Sequence, residues 1–412
     1  MKASAASYPH LSIPQASPAA TSWRRNLVVC MVGSFTTIVA MTLLLPFLPL
    51  YVEQLGVRDP AAIAQWSGAA YGATFLSAAL VAPLWGRLAD LYGRKLMLIR
   101  ASLGMAVAMA LIGVAQDAWQ LVGLRLLAGL LGGYASGSTL LIATQTPRER
   151  TGWALGTLSS AIMAGNLAGP LIGGALPTLI GIRWTFFAAG AVIFVAFLGT
   201  LFLIREDKRP PASKAATGPD AGWSGVGDRR AVVVMFITGM LLMLANMSIE
   251  PIITLYVAQL VDSPGRVTMV AGLVMSAAAL GSILSAPRLG RLADRVGAWN
   301  VIVACLAVSA LLLVPQAFVT ASWQLVGLRF LMGLSLGGLL PCIAHVIRHS
   351  VPERAAGRML GYSVSAQYMG QVAGPLLGGF AGGHFGMRYV FLATSALMAL
   401  GAILNWRAQR AS

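Results

Sequence analysis

Two arginines and one glutamate lie inside segments of this chain that are otherwise apolar. The heptapeptide WQLVGLR occurs twice, and its copies end in Arg125 and Arg329, each followed by a further apolar run. Glu250 lies in a third apolar segment, directly before Pro251. A charged side chain in apolar surroundings is costly unless it faces protein or water. These three residues are therefore the first candidates for binding or moving a charge.

The elements that carry these residues follow from composition. The 412-residue chain is 57% hydrophobic and 10% charged, whereas soluble domains carry about 25% charged residues. An α-helix needs about 20 apolar residues to cross a hydrocarbon core, and an open sheet cannot satisfy its backbone there. The sequence thus predicts an all-α membrane protein with twelve transmembrane helices. The predicted spans are 26–50, 65–85, 96–115, 118–143, 153–180, 184–204, 231–259, 267–286, 299–319, 322–346, 357–382 and 387–406.

The two halves of the sequence repeat each other in the same order. PLWGRLADLYG at 83–93 matches PRLGRLADRVG at 287–297, and AGPLIGG at 168–174 matches AGPLLGG at 373–379. An internal repeat of this length predicts two six-helix halves in parallel orientation. Such halves are typical of transporters that rock around a site at the middle of the membrane.

Composition also predicts the domain boundaries. The stretch between the halves is rich in proline, glycine and charge, which is typical of a solvated linker, and the N-terminus is rich in alanine, serine and proline. The predicted units are a disordered cytoplasmic tail at 1–23, a first half at 24–204, a cytoplasmic linker at 205–230, a second half at 231–406 and a cytoplasmic tail at 407–412.

The basic residues predict the orientation in the membrane. With both termini in the cytoplasm, most of the 29 lysines and arginines fall in cytoplasmic segments, as the positive-inside rule requires. The outer loops hold only Arg58, Arg183, Arg266 and Arg388. The net charge of +16 therefore indicates contact with anionic lipid and not with nucleic acid. No spacing of cysteine or histidine suits a metal, and no nucleotide-binding loop occurs, so we expect no cofactor, no metal and no enzyme activity.

A glycine-rich loop joins the second and third predicted spans. Its sequence, GRLADLYGRK at 86–95, resembles the signature loop of the major facilitator superfamily. The glycines permit a sharp reversal, and the aspartate can cap a helix or hold a cation. The second copy has Ala298 and Trp299 in place of Arg94 and Lys95, which favours an ionic latch in the first half. The alternative is a tight turn oriented by lipid. The gating-loop candidates are Gly86, Asp90, Gly93, Arg94, Lys95, Gly290 and Asp294.

The fifth predicted span contains the pattern G-x-x-x-G-P-x-x-G-G, repeated in the eleventh. Glycines four residues apart let helices approach closely, and the proline removes a backbone donor and bends the helix. The pattern resembles the antiporter motif of drug:proton exporters in the superfamily, and this resemblance implies export. Helix packing alone is the alternative for each single glycine. The residues concerned are Gly165, Gly169, Pro170, Gly173, Gly174, Gly374 and Pro375.

The family resemblance also implies a role for Arg125. In the motif that 121–133 resembles, the arginine of the fourth span is assigned to proton coupling. By helical rise, Arg125, Arg329 and Glu250 all lie roughly 12 Å below the outer surface. A carboxyl group that alternates between apolar surroundings and a nearby arginine would load and release a proton, which makes Glu250 the candidate carrier. Alternatively, Glu250 neutralises Arg329 in a static pair or binds a cationic substrate, and the arginines bond helix-end carbonyls.

Four further residues are weak candidates for lining a substrate cavity, since each could equally tie helices together. They are Asn166, Asn246, Tyr134 and Gln371. Tyr71 and Phe75 could form an aromatic substrate surface, although such residues in spans mostly pack.

The resemblance implies a monomeric, proton-coupled exporter of small amphipathic or toxic compounds in the bacterial inner membrane, working by alternating access. An importer or uniporter of a metabolite is one alternative. The other is a sensor or scaffold that retains a transporter fold.

Overall fold

The computed structural model describes residues 18–206 and 228–410, and within these ranges the chain is helical without a strand. The predicted N-terminal tail as far as residue 17, the predicted linker at 207–227 and residues 411–412 lie outside the described residues. The prediction of an all-α protein is confirmed for the part of the chain that is described.

The described helices of the first half are α1 Pro18–Thr42, α2 Leu48–Gln54, α3 Pro60–Tyr92, α4 Arg94–Ile112, α5 Ala118–Leu131, α6 Tyr134–Gln145, α7 Thr151–Ile180 and α8 Ile182–Leu203. Those of the second half are α9 Arg229–Ala258, α10 Val267–Val296, α11 Ala298–Gln316, α12 Ser322–Leu336, α13 Leu339–Ser350, α14 Glu353–His384 and α15 Met387–Gln409. Short 3-10 turns lie at Leu45–Phe47, Arg148–Arg150 and Pro264–Arg266.

Local sequence explains where several helices begin. Asp59, Asp117 and Asp228 each accept a hydrogen bond from a backbone N–H in the first turn of the helix that follows, at 2.7 to 2.9 Å. These caps satisfy donors that have no partner within the helix. The reversals between α3 and α4 and between α10 and α11 run through Gly93 and Gly297, at φ of +92° and +90°, a conformation that glycine adopts without strain.

Three predicted spans are interrupted helices. The first breaks before Pro46, the fourth between α5 and α6, and the tenth between α12 and α13. In the fourth, Gly133 takes a left-handed conformation at φ +102°, and in the tenth the break falls at Gly337 and Gly338. Hydropathy does not register these breaks, because both pieces of each span are apolar.

Eleven helical segments of the described residues are long and apolar enough to cross a membrane. The predicted eleventh span is not among them, although α14 occupies it with 32 residues. Its glycines and polar side chains lower its hydropathy, because much of its surface packs on other helices and not on lipid. With α14 included, the bundle has the twelve predicted spans.

The two halves pack in matching ways, as the repeat predicts. Within the first half α1 lies against α7, and within the second half α9 lies against α14. Across the halves α3 lies against α14 and α10 lies against α7. The four helices α3, α7, α10 and α14 therefore form the interface on which the halves meet.

Candidate transport site

The two repeated arginines are buried at the same place in their halves. Arg125 is 1% exposed on α5 and Arg329 is 4% exposed on α12. Each lies about two helical turns from the start of its helix. Burial of this degree requires that protein groups or enclosed water satisfy the guanidinium.

Arg125 is held by the backbone of α3. Its Nε donates to the carbonyl of Ala70 at 3.3 Å, and its own carbonyl accepts a hydrogen bond from Thr74 Oγ1 at 3.1 Å. Its guanidinium carbon lies 5.9 Å from the ring centroid of Tyr71. Gly129 makes this approach possible, because a Cβ there would collide with the backbone carbonyl of Thr74.

Arg329 is less well satisfied. Its guanidinium carbon lies 5.8 Å from the ring of Phe391 on α15. Its Nε and Nη2 atoms are buried and have no hydrogen-bond partner among the described residues. Since an unpaired buried donor costs about 1 to 3 kcal/mol, and more for a charged group, these atoms indicate a position that another species can fill.

Glu250 lies half-buried on α9. Its Oε2 atom is also buried and unpartnered within the described part of the chain. Glu250 and Arg329 are close enough for each to act electrostatically on the other, yet no hydrogen bond or ion pair joins them among the described residues. The static pair considered as an alternative is therefore not formed in this conformation.

Tyr71 links the charged residues of the two halves. It is buried on α3, packs edge-on against Phe75 at 5.2 Å, and lies near both Arg125 and Glu250. The structure thus brings Arg125, Tyr71 and Glu250 into one region, which Arg329 adjoins through Glu250. Sequence reasoning assigned Tyr71 only to an aromatic surface, because a tyrosine in a span carries no signal of which charges it will face.

The antiporter-type glycines are sites of close helix approach in both halves. A Cβ at Gly165, Gly169 or Gly173 would meet α1, and one at Gly374 would meet Leu244 on α9. A Cβ at Gly174 would meet the carbonyl oxygen of Thr268 on α10, in the other half. Three glycines of the motif therefore let α7 pack closely within its own half, and Gly174 lets it pack closely against the other half.

The two prolines of these motifs lie on the interface between the halves. A Cβ on Gly272 would collide with the carbonyl of Pro170, and a Cβ on Gly68 would collide with the carbonyl of Pro375. These are equivalent contacts in the repeat. They leave each proline helix in backbone contact with a glycine of the other half.

Among the described residues the halves are in close contact towards one end of the bundle. Hydrogen bonds cross from Thr268 to Gly174 at 2.9 Å and from Thr254 to Pro46 at 3.1 Å. These residues lie at the end of the bundle where α7 and α9 finish and α10 begins, which we call the closed end. The close contacts that Gly68, Gly174, Gly272, Gly379 and Gly383 make with the other half lie towards the closed end, and we call the opposite end of the bundle the open end.

The gating-loop candidates lie at the open end. Gly86, Asp90 and Asp294 are exposed or half-exposed. Arg94 donates from its side chain to the carbonyl of Leu140 at 3.1 Å and to the hydroxyl of Thr144 on α6. In this conformation Arg94 therefore fastens α4 to α6 within the first half.

Glu206 was not found by sequence reasoning. Its two carboxylate oxygens accept the backbone N–H groups of Arg94 and Lys95, each at 2.8 Å. A carboxylate at the first turn of α4 is favoured by the helix dipole. The only signal in the sequence was an acid placed directly after the sixth span.

The weak cavity candidates fall into different surroundings. Asn166 is exposed, and Asn246 and Gln371 are half-buried. Tyr134 is buried, and its hydroxyl lies 2.7 Å from that of Thr200 on α8. The structure places Tyr134 in the packing of the first half and not on a cavity. Within the described residues no group of three metal-ligating side chains could hold a metal ion.

Two parallel six-helix halves, joined at one end and open at the other around buried charges, define a transporter fold. The model of the Major Facilitator Superfamily matches residues 30–270 and 235–411. The chain belongs to this superfamily, and it is a multi-pass membrane protein.

Multidrug resistance proteins are similar to the chain over nearly all of its length. It is 41% identical to the multidrug resistance protein MdtG of Proteus mirabilis over 389 residues, which cover 94% of this chain and 97% of that protein. It is 43% identical to MdtG of Salmonella arizonae over 385 residues, covering 93% and 95%.

Solved structures share the fold at low sequence identity. A bacterial homologue of the lysosomal transporter Spinster, in an inward-facing and unoccupied conformation, superposes with a TM-score of 0.74 at 14% identity, covering 96% of this chain and 98% of the other. The nucleoside transporter NupG gives a TM-score of 0.74 at 14% identity, covering 93% and 99%. These likenesses concern the fold alone.

Proposed function

We propose that the protein exports small amphipathic drugs or toxic compounds in exchange for protons across the bacterial inner membrane. The observation that carries this proposal is the cluster beneath the closed end, where Glu250 and Arg329 keep buried polar atoms without partners. The glycine-proline helices of both halves and the similarity to multidrug resistance proteins support export.

Glu250 is the proton-binding group in this proposal. Glu250 and Arg329 belong to the second half, whereas Tyr71 and Arg125 belong to the first. Rocking of the halves therefore changes the distance from Glu250 to Tyr71 and Arg125, while the distance to Arg329 is kept. Since a nearby positive charge favours the ionised carboxylate, approach of Arg125 releases the proton and withdrawal of Arg125 permits its uptake.

This order of events suits export if the closed end faces the periplasm. The open end carries the basic segments, including Arg24, Arg87 and Lys95, and the positive-inside rule assigns such an end to the cytoplasm. Both termini are then cytoplasmic. The drug enters the open cavity as the proton leaves to the cytoplasm, and after rocking the drug leaves as Glu250 is protonated from outside.

Inside-out membrane vesicles acidified by respiration test the proposal. Adding a transported amphipathic dye is expected to dissipate the pH gradient, because drug moves in as protons move out. Glu250→Gln is expected to abolish this response while dye binding persists. Glu53→Gln, which changes an exposed carboxylate on α2, is the matched control and is expected to behave as the wild type.

Two results would reject parts of the proposal. A wild-type protein that gives no proton movement with a panel of cationic and neutral dyes would exclude drug export. A Glu250→Gln variant with normal coupled transport would remove Glu250 from the mechanism but leave export standing.

A further inference from the structure

One face of α10 is exposed near the start of the helix and again from Leu280 onward, and it changes character at the open end. Before the helix reaches the open end, its exposed large apolar side chains are Met269, Leu273, Leu280 and Leu284. They recur at spacings of four and seven residues and so lie on one side of the helix. On a membrane protein an exposed apolar stripe of this kind faces lipid acyl chains.

The stripe ends in three arginines. Arg288, Arg291 and Arg295 continue the same helical face, are all exposed, and line an open cavity of about 270 Å³ together with Leu292. Arg288 Nη1 donates to the carbonyl of Leu284 at 2.7 Å, and Arg291 Nε donates to that of Pro287 at 3.3 Å. A guanidinium has five N–H donors, so these bonds leave most donors available at the cavity.

The first half shows that the fold does not require these arginines. In the repeat, Arg291 corresponds to Arg87, but Arg288 and Arg295 correspond to Leu84 and Leu91. Both leucines are exposed, at 52% and 76%. The equivalent face of α3 therefore carries Arg87 alone of the three charges, and the charges of Arg288 and Arg295 are a property of the second half.

We propose that Arg288, Arg291 and Arg295 bind the phosphate group of an anionic phospholipid in the leaflet at the open end, with an acyl chain along the leucine stripe. Arginine matches phosphate oxygens with paired, charge-assisted hydrogen bonds. Asp294 is the only acid on α10, so the cluster keeps a positive charge. A free anion would bind the arginines but would not contact the adjacent apolar stripe, whereas a phospholipid contacts both.

The binding of phosphatidylglycerol to the purified full-length protein in detergent, followed by native mass spectrometry, tests this site. Arg288→Leu/Arg295→Leu, which installs the residues of the first half, is expected to weaken the tightest bound lipid roughly 30-fold, from the attraction of two arginines at an anionic surface. Arg229→Leu/Arg230→Leu removes two exposed charges at the start of α9 and is expected to leave that lipid bound.

Competition experiments distinguish the lipid from other ligands, and a gain-of-binding variant controls for misfolding. Phosphatidylcholine and excess inorganic phosphate are expected not to displace the bound phosphatidylglycerol, and Leu84→Arg/Leu91→Arg is expected to add a second tight lipid on the first half. Unchanged binding in the Arg288→Leu/Arg295→Leu variant, an equal loss in the Arg229→Leu/Arg230→Leu control, displacement by inorganic phosphate, or no gain in the Leu84→Arg/Leu91→Arg variant would each overturn the proposal.

Discussion

Alanine at Gly174 is predicted to open the closed end of the bundle. A Cβ at this position would lie 2.7 Å from the carbonyl oxygen of Thr268 and 3.0 Å from the Cα of Met269, both in the other half. Ordinary contact begins at 3.4 Å, so the backbones must separate by about 0.7 Å. Overpacking of this kind costs about 1 to 3 kcal/mol.

The cost applies only to the conformation in which the two halves touch. If the halves separate at this end during transport, Gly174→Ala shifts the ratio of open to closed molecules by about 5-fold to 150-fold. Gly374 provides a matched control, because its Cβ would also lie 2.7 Å from a backbone oxygen, that of Leu244, within the second half. In the Gly374→Ala variant the strain is present in both the open and the closed conformation. It therefore lowers the free energy of unfolding without changing the ratio of open to closed molecules.

Spin labels on the two halves measure this shift. Arg58 and Phe385 are exposed beside the closed end, one in each half, and the native Cys30, Cys305 and Cys342 are buried, so cysteines at 58 and 385 can be labelled selectively. The distance between the labels is expected to lengthen in the Gly174→Ala variant and to stay unchanged in the Gly374→Ala variant. Equal distances in both variants, with equal losses of melting temperature, would refute the reasoning.

Three further substitutions test other parts of the structure. Glu206→Ala removes the acceptor at the start of α4 and is expected to cost about 1 kcal/mol of unfolding free energy, seen as a lower melting temperature; an unchanged melting temperature would contradict it. Arg125→Lys keeps the charge but loses the guanidinium geometry, and is expected to abolish dye-dependent proton movement in a protein that still folds. Tyr71→Phe keeps the packing against Phe75 but removes the hydroxyl, and is expected to slow coupled transport about tenfold; a normal rate would leave Tyr71 with packing alone.

The helical architecture was predictable because it depends on local sequence. Twenty apolar residues must form a helix in lipid, and the duplicated segments must take equivalent places in two halves. The breaks within three spans were not predictable in this way, since apolar pieces on both sides of a break have the same hydropathy. The polar side chains of α14 lower the hydropathy of the eleventh span. They can lie within the bundle because α14 packs on α3 and α9.

The charged residues of the candidate site are conspicuous in the sequence, but their surroundings were not predictable. An arginine in an apolar span is conspicuous in any sequence, whereas Tyr71 and Tyr134 look alike until their neighbours are known. Tyr71 comes to lie near both Arg125 and Glu250, while Tyr134 packs against Thr200. The difference arises from contacts between helices far apart in the chain, which periodicity does not encode.

The repeat separates what the fold needs from what only one half has. The glycine and proline contacts recur in both halves, as at Gly68 with Pro375 and Gly272 with Pro170, so they serve the scaffold and its rocking interface. Glu250 has Leu45 as its counterpart, which lies in a 3-10 turn of the first half and is buried. A symmetric scaffold has no use for a carboxylate on one side only, and since burying it costs free energy, its presence requires a task that the scaffold does not supply. Proton coupling across the interface, from Glu250 to Tyr71 and Arg125, is a task of that kind.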